Sequence, residues 1–517
     1  MKTSIRVFLF VLLVLAGCTS KNVERTSNDA ATFSAFTPGT IAVLKKSSPY
    51  LKAHMNNGNV YVFTKWKTDS TNTGISGIAT LFGPGRDTLG HGDYWLPYSD
   101  IAIIETNELS ISGAATAMTV FTGITVAMGV YCLSNPKACF GSCPTFYASD
   151  GDSLLLQGEG FSSSVAPALE ATDVDALYRV RPRNGIMEIL MRNEALETHV
   201  VRWVNLLAVP THEGCRAFAT ADGTFWESTA QVAPLAAEGP EGDCVQQIAA
   251  FDGHERFSLA DAHDLSSKES LNLKFRVLPG HRYGLVVACR QGLLPTYLLY
   301  QTLAYMGTSV ATWMTQIERG KLPPGAVNME RLIGGINATT QQSDGSWRSE
   351  GEIAEHGPLA VDVHLLPLKE ICDSTVNLRL TMTKGTWRID YVALAELSQP
   401  VPPVRIAPSL VLKGDVADRV ALATLCDSSK TLVTLPGDRY WLKYRLPQRG
   451  SRYEYFIESR GYYLEWMRKE WIAEENPALL AQMFLDPHTA LRNLAPQYKL
   501  VEPLMEDCFW RSRYGKQ

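Results

Sequence analysis

Two cysteines four positions apart, Cys139 and Cys143, sit in the loop Asn135-Pro-Lys-Ala-Cys-Phe-Gly-Ser-Cys-Pro-Thr-Phe-Tyr147. Thiol oxidoreductases use Cys-x-x-Cys at a helix N-terminus, where the helix dipole lowers one thiol pKa. Here three residues intervene and no strand–helix–strand pattern follows. The pair therefore reads as a loop staple, a Cys139–Cys143 disulfide with Cys132 as a competing partner, or as free buried thiols. Asp150-Gly-Asp152 lacks the further oxygen ligands of a calcium loop, and Asp-Gly between strands is the usual hairpin turn. Glycoside hydrolysis needs two carboxyl groups about 5–10 Å apart in space. Glu159, Asp390, Glu458 and Glu465 are candidates for such a pair, but nothing in the sequence separates them from structural acids. The chain has no Gly-x-Ser-x-Gly elbow, P-loop, dinucleotide fingerprint or His-Glu-x-x-His. Its ten histidines form no metal-ligand spacing. No catalytic residue, metal site or cofactor is assigned.

The elements that would position these residues are mostly strands. Segments 39–46, 59–66, 75–82 and 101–105 are β-branched or aromatic runs separated by turn residues, which predicts a small β domain over 39–108. Further runs at 153–157, 186–191, 199–209, 271–277 and 283–290 predict a β domain over 148–320. That domain ends in a long amphipathic helix from Pro295 to Gly320, striped by Leu299, Leu303, Met306, Val310, Trp313 and Ile317. Leu359, Val361, Val363 and Leu365, and then Val376, Leu378, Leu380 and Met382, alternate with polar residues. This period of two predicts a β-sandwich over 321–455. The aromatic-rich segment 456–517 reads as helical, a cap on the preceding sheet or a surface for a glycan or protein partner. The predicted class is mainly β, α+β overall.

Segment 109–147 joins an uncharged helix-like stretch to the cysteine loop. Ala115, Thr119, Gly123 and Ala127 line one helical face with small residues, which suits close packing in a core or in lipid. Four threonines between 116 and 125 make it weakly hydrophobic. A buried helix is expected over 109–136, with membrane insertion as the alternative.

The first residues read MKTSIRVFLFVLLVLAGCTS. Lys2 and Arg6 precede an apolar run over 7–15, too short to span a bilayer. Leu15-Ala16-Gly17-Cys18 resembles the lipobox of bacterial lipoproteins. The resemblance implies removal of residues 1–17, acylation of Cys18 and, with no Asp after it, an outer-membrane address facing the periplasm. Each buried methylene contributes about 0.8 kcal/mol, so two or three chains anchor stably. Residues 18–38, small and polar, read as a flexible tether. The net charge of −5 becomes −7 on loss of Lys2 and Arg6. That balance gives no footprint for nucleic acid and no polybasic patch for anionic lipid.

The cysteine loop, with Gln301-Thr-Leu-Ala-Tyr-Met-Gly307 and Trp387-Arg-Ile-Asp-Tyr391, resembles a family of bacterial envelope lipoproteins. The resemblance supports address and architecture and transfers no catalytic role. The expected function is a lipid-anchored binding or scaffolding protein with an envelope protein or glycan as partner. The alternatives are an envelope hydrolase acting on glycan or peptidoglycan, and a lipoprotein that inserts residues 109–136.

Overall fold

The computed structural model describes residues 21–38, 40–42, 51–56, 59–69, 73–82, 88–111, 143–149, 153–195, 197–310, 313, 332–354, 357–447, 452–467 and 469–512. Cys18, Cys139 and most of 109–136 lie outside them. The chain forms two compact units. One draws on 1–135, 300–321 and 466–480, the other on 136–299, 322–465 and 481–517.

The smaller unit is a six-stranded antiparallel sheet. Its spatial order is Lys21–Asp29, Ile101–Ile111, Leu51–Met55, Val60–Thr68, Gly74–Phe82 and Thr88–Pro97. One face buries Leu51, Phe63, Trp66, Ile75, Leu96 and Ile104 against Phe33, which the helix Ala30–Ser34 supplies. Two expectations are corrected here. Residues 21–29 are not a free tether. They pair along their whole length with Ile103 to Ile111, because that strand would otherwise leave its outer N–H and C=O groups unpaired. Residues 40–42 are helical rather than part of a strand over 39–46. The strands Leu51–Met55 and Thr88–Pro97 carry few β-branched residues, and the second has two glycines. Only their neighbours make them strands.

The larger unit stacks four antiparallel sheets. The first orders Val416–Ala417, Leu410–Lys413, Arg439–Arg445, Ile186–Arg192, Thr145–Ser149 and Leu154–Glu159. The second orders Val404–Ile406, Glu197–Thr211, Arg452–Glu465 and Ala171–Ala176. Met187, Ile189 and Leu442 of the first sheet pack on Val201, Val204 and Ile457 of the second. The third sheet orders Arg216–Ala219, Phe225–Val232, Trp387–Pro400, Tyr283–Gln291 and Asp362–Pro367. The fourth runs Gly242–Asp243, Ala236–Gly239, Lys268–Arg276, Thr375–Thr383, Ile336–Gln341 and Trp347–Ile353. Leu285, Val287 and Trp387 of the third pack on Leu273, Phe275 and Leu380 of the fourth. The remaining faces of the second and third sheets meet through Leu207, Val209, Phe225 and Phe456.

This layering explains the strand patterns. Lys268–Arg276, in an outer sheet, alternates buried with exposed, whereas every residue of Tyr283–Gln291 is buried. A strand covered on both faces has no polar face to show. The layering also corrects the expected division at 320/321. Ile186–Arg192 pairs with Arg439–Arg445, Glu197–Thr211 with Arg452–Glu465, Tyr283–Gln291 with Trp387–Pro400, and Lys268–Arg276 with Thr375–Thr383. Neither half closes a sheet alone.

Helices are few and differ from expectation. Leu294–Met306 is helical and gives way to a 3-10 turn at Gly307–Ser309, where Gly307 takes a φ of +48° and Thr308 N donates to Glu475 Oε2 at 2.8 Å. Leu298, Tyr300, Leu303, Ala304 and Tyr305 are all buried, so the helix is covered on several sides instead of along one stripe. The strand Arg452–Glu465 continues into the segment read as helical, because Tyr462 and Tyr463 fill buried β positions. Helices Lys469–Ala473, Pro477–Leu485 and Pro487–Ser512 follow, the last with Pro496 inside it. Trp471 and Tyr498 are buried against Tyr300 and Tyr297, so these aromatics are packing groups. No helix among the described residues is long and apolar enough to cross a membrane.

A cation buried in the third sheet is paired. Arg290, 1% exposed, makes a bidentate bridge to Glu255 at 2.8 and 2.9 Å and donates to Pro358 O. Removing one partner of such a pair leaves a buried charge and costs about 3–5 kcal/mol. Arg290→Met is expected to lose stability on that scale in chemical denaturation, and adding Glu255→Gln should recover most of it.

Candidate functional site

The loop 357–361 crosses from the fourth sheet's edge strand to the third sheet and is held from two sides. Gln291 N donates to Gly357 O at 3.2 Å, and Arg290 Nη1 donates to Pro358 O at 2.5 Å. From the first sheet, Glu159 Oε2 accepts Leu359 N at 2.7 Å and Ala360 N at 3.3 Å. Glu159 Oε1 accepts the Cys143 thiol at 3.1 Å. Three glycines permit the close approach, Gly357 at the carboxylate itself and Gly158 and Gly160 where its strand nears the second sheet. A Cβ on Gly357 would lie 2.2 Å from Glu159 Cδ, one on Gly158 would meet Asp175 Cγ at 2.8 Å, and one on Gly160 would meet Ser459 Oγ at 2.4 Å.

Around Glu159 the interior is acidic. Burial pushes its carboxyl up to about 7, against the lowering effect of the thiol, the two amides and Arg290. Burial raises Asp175 well above the ordinary range, and the nearby Asp173 and Asp362 raise it further. Asp175 Oδ1 accepts Glu159 N at 3.3 Å while Oδ2 is buried without a hydrogen-bond partner, which suits a protonated acid. Cys143 is a free thiol, and burial followed by Glu159 and Glu197 holds its pKa high, so it is not a thiolate. Glu197 Oε2 accepts Cys143 N at 2.9 Å and lies 3.2 Å from His199 Nε2. Burial pushes His199 down to about 3, so the ring is neutral and the contact is a hydrogen bond from Nε2–H rather than an ion pair.

Two cavities flank this acidic layer. The first, of about 400 Å³, opens where the 154–157 strand meets the 359–361 loop. Two guanidinium groups stand over aromatic rings there. Arg192 lies 5.3 Å from the Tyr147 ring centroid, and Arg179 lies 4.4 Å from that of Phe251. Arg192 and Tyr147 share Glu194, at 3.2 and 2.5 Å. Asp390 is the one carboxylate among the described residues lining this cleft, and it accepts Gly253 N at 2.9 Å. The second cavity, of about 420 Å³, is lined by Asp173, Asp222, Asp362, Glu458, His364 and Arg405. Glu458 accepts Asn205 Nδ2 at 3.0 Å and Arg405 Nη2 at 2.6 Å. Asp362 lies 3.3 Å from His364. No group of three His, Cys, Asp or Glu among the described residues is placed to hold a metal ion.

The four candidate acids thus separate. Glu159 is a buried clasp, Asp390 faces the first cleft, Glu458 lines the second cavity, and Glu465 ends a strand in register with Glu197. Cys139 and the turn Asp150-Gly-Asp152 lie outside the described residues, though the strands on either side of that turn pair as a hairpin. Sequence reasoning missed Asp175, Asp362, Arg179 and Arg192. One signal was available, the run Gly158-Glu159-Gly160, since glycine inside a strand marks close approach by another group.

No family model matches the chain, and no curated protein matches it. Among solved structures, it is matched to the GH31 alpha-xylosidase from Xanthomonas citri at 8% identity, over 81% of this chain and 37% of that one, with a TM-score of 0.15. It is matched to infectious bursal disease virus, Gx strain, at 9% identity over 86% and 80%, with a TM-score of 0.13. At these TM-scores neither match bears on fold or function. The chain spans about a third of the length of the xylosidase.

Two outcomes follow from the Glu159 clasp. Its carboxyl titrates near 4.5 when free and near 7 in the fold. Between those values the folded chain keeps a proton that the unfolded chain has lost. The contribution to stability is therefore complete below pH 4.5 and is lost as pH rises through 7, by roughly 3 kcal/mol in all. Glu159→Gln should flatten that part of the stability–pH curve in urea titrations. Gly357→Ala should cost about 1–3 kcal/mol by overpacking, measured in the same titrations at pH 5.

Proposed function

We propose that this chain is a lipoprotein of the bacterial cell envelope, acylated on Cys18 and facing the periplasm from the outer membrane. Its larger unit binds an acidic, sugar-sized envelope component without turning it over. The reading rests on one observation above the others. A single cleft of about 400 Å³ carries a guanidinium-over-ring pair from each side, Arg192 with Tyr147 and Arg179 with Phe251. Clefts of this size suit small ligands. Arginine beside an aromatic face pairs a carboxylate or phosphate with a stacking surface for a flat or ring-shaped body. The cleft offers one carboxylate, Asp390, and hydrolysis by the two-carboxylate route needs a second beside it.

A second reading has its own support. Four carboxylates, Asp173, Asp222, Asp362 and Glu458, line the other cavity, and Asp362 and Glu458 are each 5% exposed. That favours the alternative of a hydrolase acting on glycan or peptidoglycan. Insertion of residues 109–136 concerns a segment described only to residue 111.

Calorimetric titration of the mature protein with soluble peptidoglycan fragments tests the first reading. Arg179→Ala combined with Arg192→Ala should weaken binding by about tenfold or more, roughly 1.4 kcal/mol, in protein that circular dichroism shows to be folded at the titration temperature. Equal affinity in the double variant would remove the cleft from the function. Release of product from the same fragments, abolished by Asp362→Asn, would replace binding with hydrolysis. For the anchor, Cys18→Ser should accumulate as unprocessed precursor without bound lipid. Unchanged maturation and particulate location would refute the address.

A further inference from the structure

Two residues, Thr19 and Ser20, separate Cys18 from Lys21, where the first strand of the smaller unit begins. Even fully extended, that stretch spans about 10 Å. A lipid on Cys18 would therefore hold one end of this sheet at the bilayer surface, with no long spacer between them.

Strand register identifies what else lies at that end. Lys21 pairs with Ile111. Following the antiparallel ladders across the sheet, the same end is where Thr68 pairs with Ile75 and Gly74 pairs with Pro97. Just inside it, Lys67, Ser76 and Trp95 form one cross-strand row, and Lys65, Ile78 and Asp93 form the next. The core side of these strands holds Trp66, Ile75 and Leu96, so both rows point away from the core. Lys65, Lys67 and Asp93 are exposed, and the Trp95 indole is 55% exposed on an edge strand.

We infer that this outward face, with Trp95, Lys65 and Lys67 at its centre, seats on an anionic phospholipid surface beside the anchor. Tryptophan prefers the headgroup level, where its apolar body and its N–H are both satisfied. Lysines within a Debye length of anionic headgroups are attracted to them, and the two here outnumber the single Asp93 between them. The inference rests on the acylation reading and adds an orientation to it: the sheet lies against the membrane instead of hanging from a tether.

The test uses the full-length acylated protein in vesicles of phosphatidylglycerol and phosphatidylethanolamine whose acyl chains are brominated. The fluorescence difference between wild type and Trp95→Phe isolates the Trp95 signal. That signal should be quenched at least twofold on these vesicles and much less on purely zwitterionic ones. Lys65→Glu with Lys67→Glu should relieve the quenching while the lipid keeps the protein vesicle-bound. An unquenched Trp95 signal in acylated, vesicle-bound protein overturns the seat and leaves the anchor standing. Mass spectrometry showing no acyl group on the mature N-terminus overturns both. Dimerisation of Cys18→Ser that is lost in Trp95→Ser would assign the face to a second copy and overturn the lipid seat.

Discussion

One carboxylate decides where the first cleft has a wall. Glu159 reaches from the edge of the first sheet and accepts two amides of the 357–361 loop, while Arg290 holds the preceding carbonyl from the third sheet. Neither residue can be released cheaply. Glu159 is buried and bonded to the Cys143 thiol as well as to the two amides, and Arg290 is committed to Glu255. The loop is therefore suspended between sheets that are not adjacent in the stack. Leu359 and Ala360, which line the cleft, are placed by the hydrogen bonds their backbone amides donate to Glu159.

The layering makes such a clasp necessary. With four sheets stacked, the two inner ones are covered on both faces, and whatever is polar on them must be satisfied inside. The structure answers in two ways. Cations are matched with two or more acceptors, as for Arg256 between Glu241 and Glu269. Acids without an ion pair are driven towards the neutral form by burial, as for Asp175 on the second sheet and Glu159 at the edge of the first. A neutral carboxyl is a tolerable interior group, and a pair of charged ones would not be.

The same rule separates the buried acids from the accessible chemistry. Glu159, Asp175, Glu197 and His199 have exposures of 3% or less, with geometry suited to joining strands. The groups that line the cavities are the arginines over Tyr147 and Phe251 in one and the Asp362–Glu458 set in the other. Strongly shifted pKa values mark functional sites in many enzymes. In this interior they mark where sheets are joined.

Much of the local structure was legible in the sequence. Alternation in Lys268–Arg276 and Thr375–Thr383, and the apolar run of Tyr283–Gln291, identify strands because side chains on a strand alternate between two faces whatever lies beyond them. The mainly β class follows from these runs. Pairing did not follow, because period two says which face is buried and not which strand lies alongside. The strand Lys21–Asp29 carries no β signal of its own and exists because an open edge offered it hydrogen bonds. The helix after residue 294 shows the converse: its apolar residues were visible, but packing from several sides and the left-handed Gly307 were not. The site was less legible than the fold. Glu159 meets Leu359 across two hundred positions, and Arg192, Phe251 and Asp390 come from two strands and a loop. Residue types and local alternation are properties of the chain. Which acids share one desolvated layer, and which arginines share one cleft, depends on contacts that only tertiary packing makes.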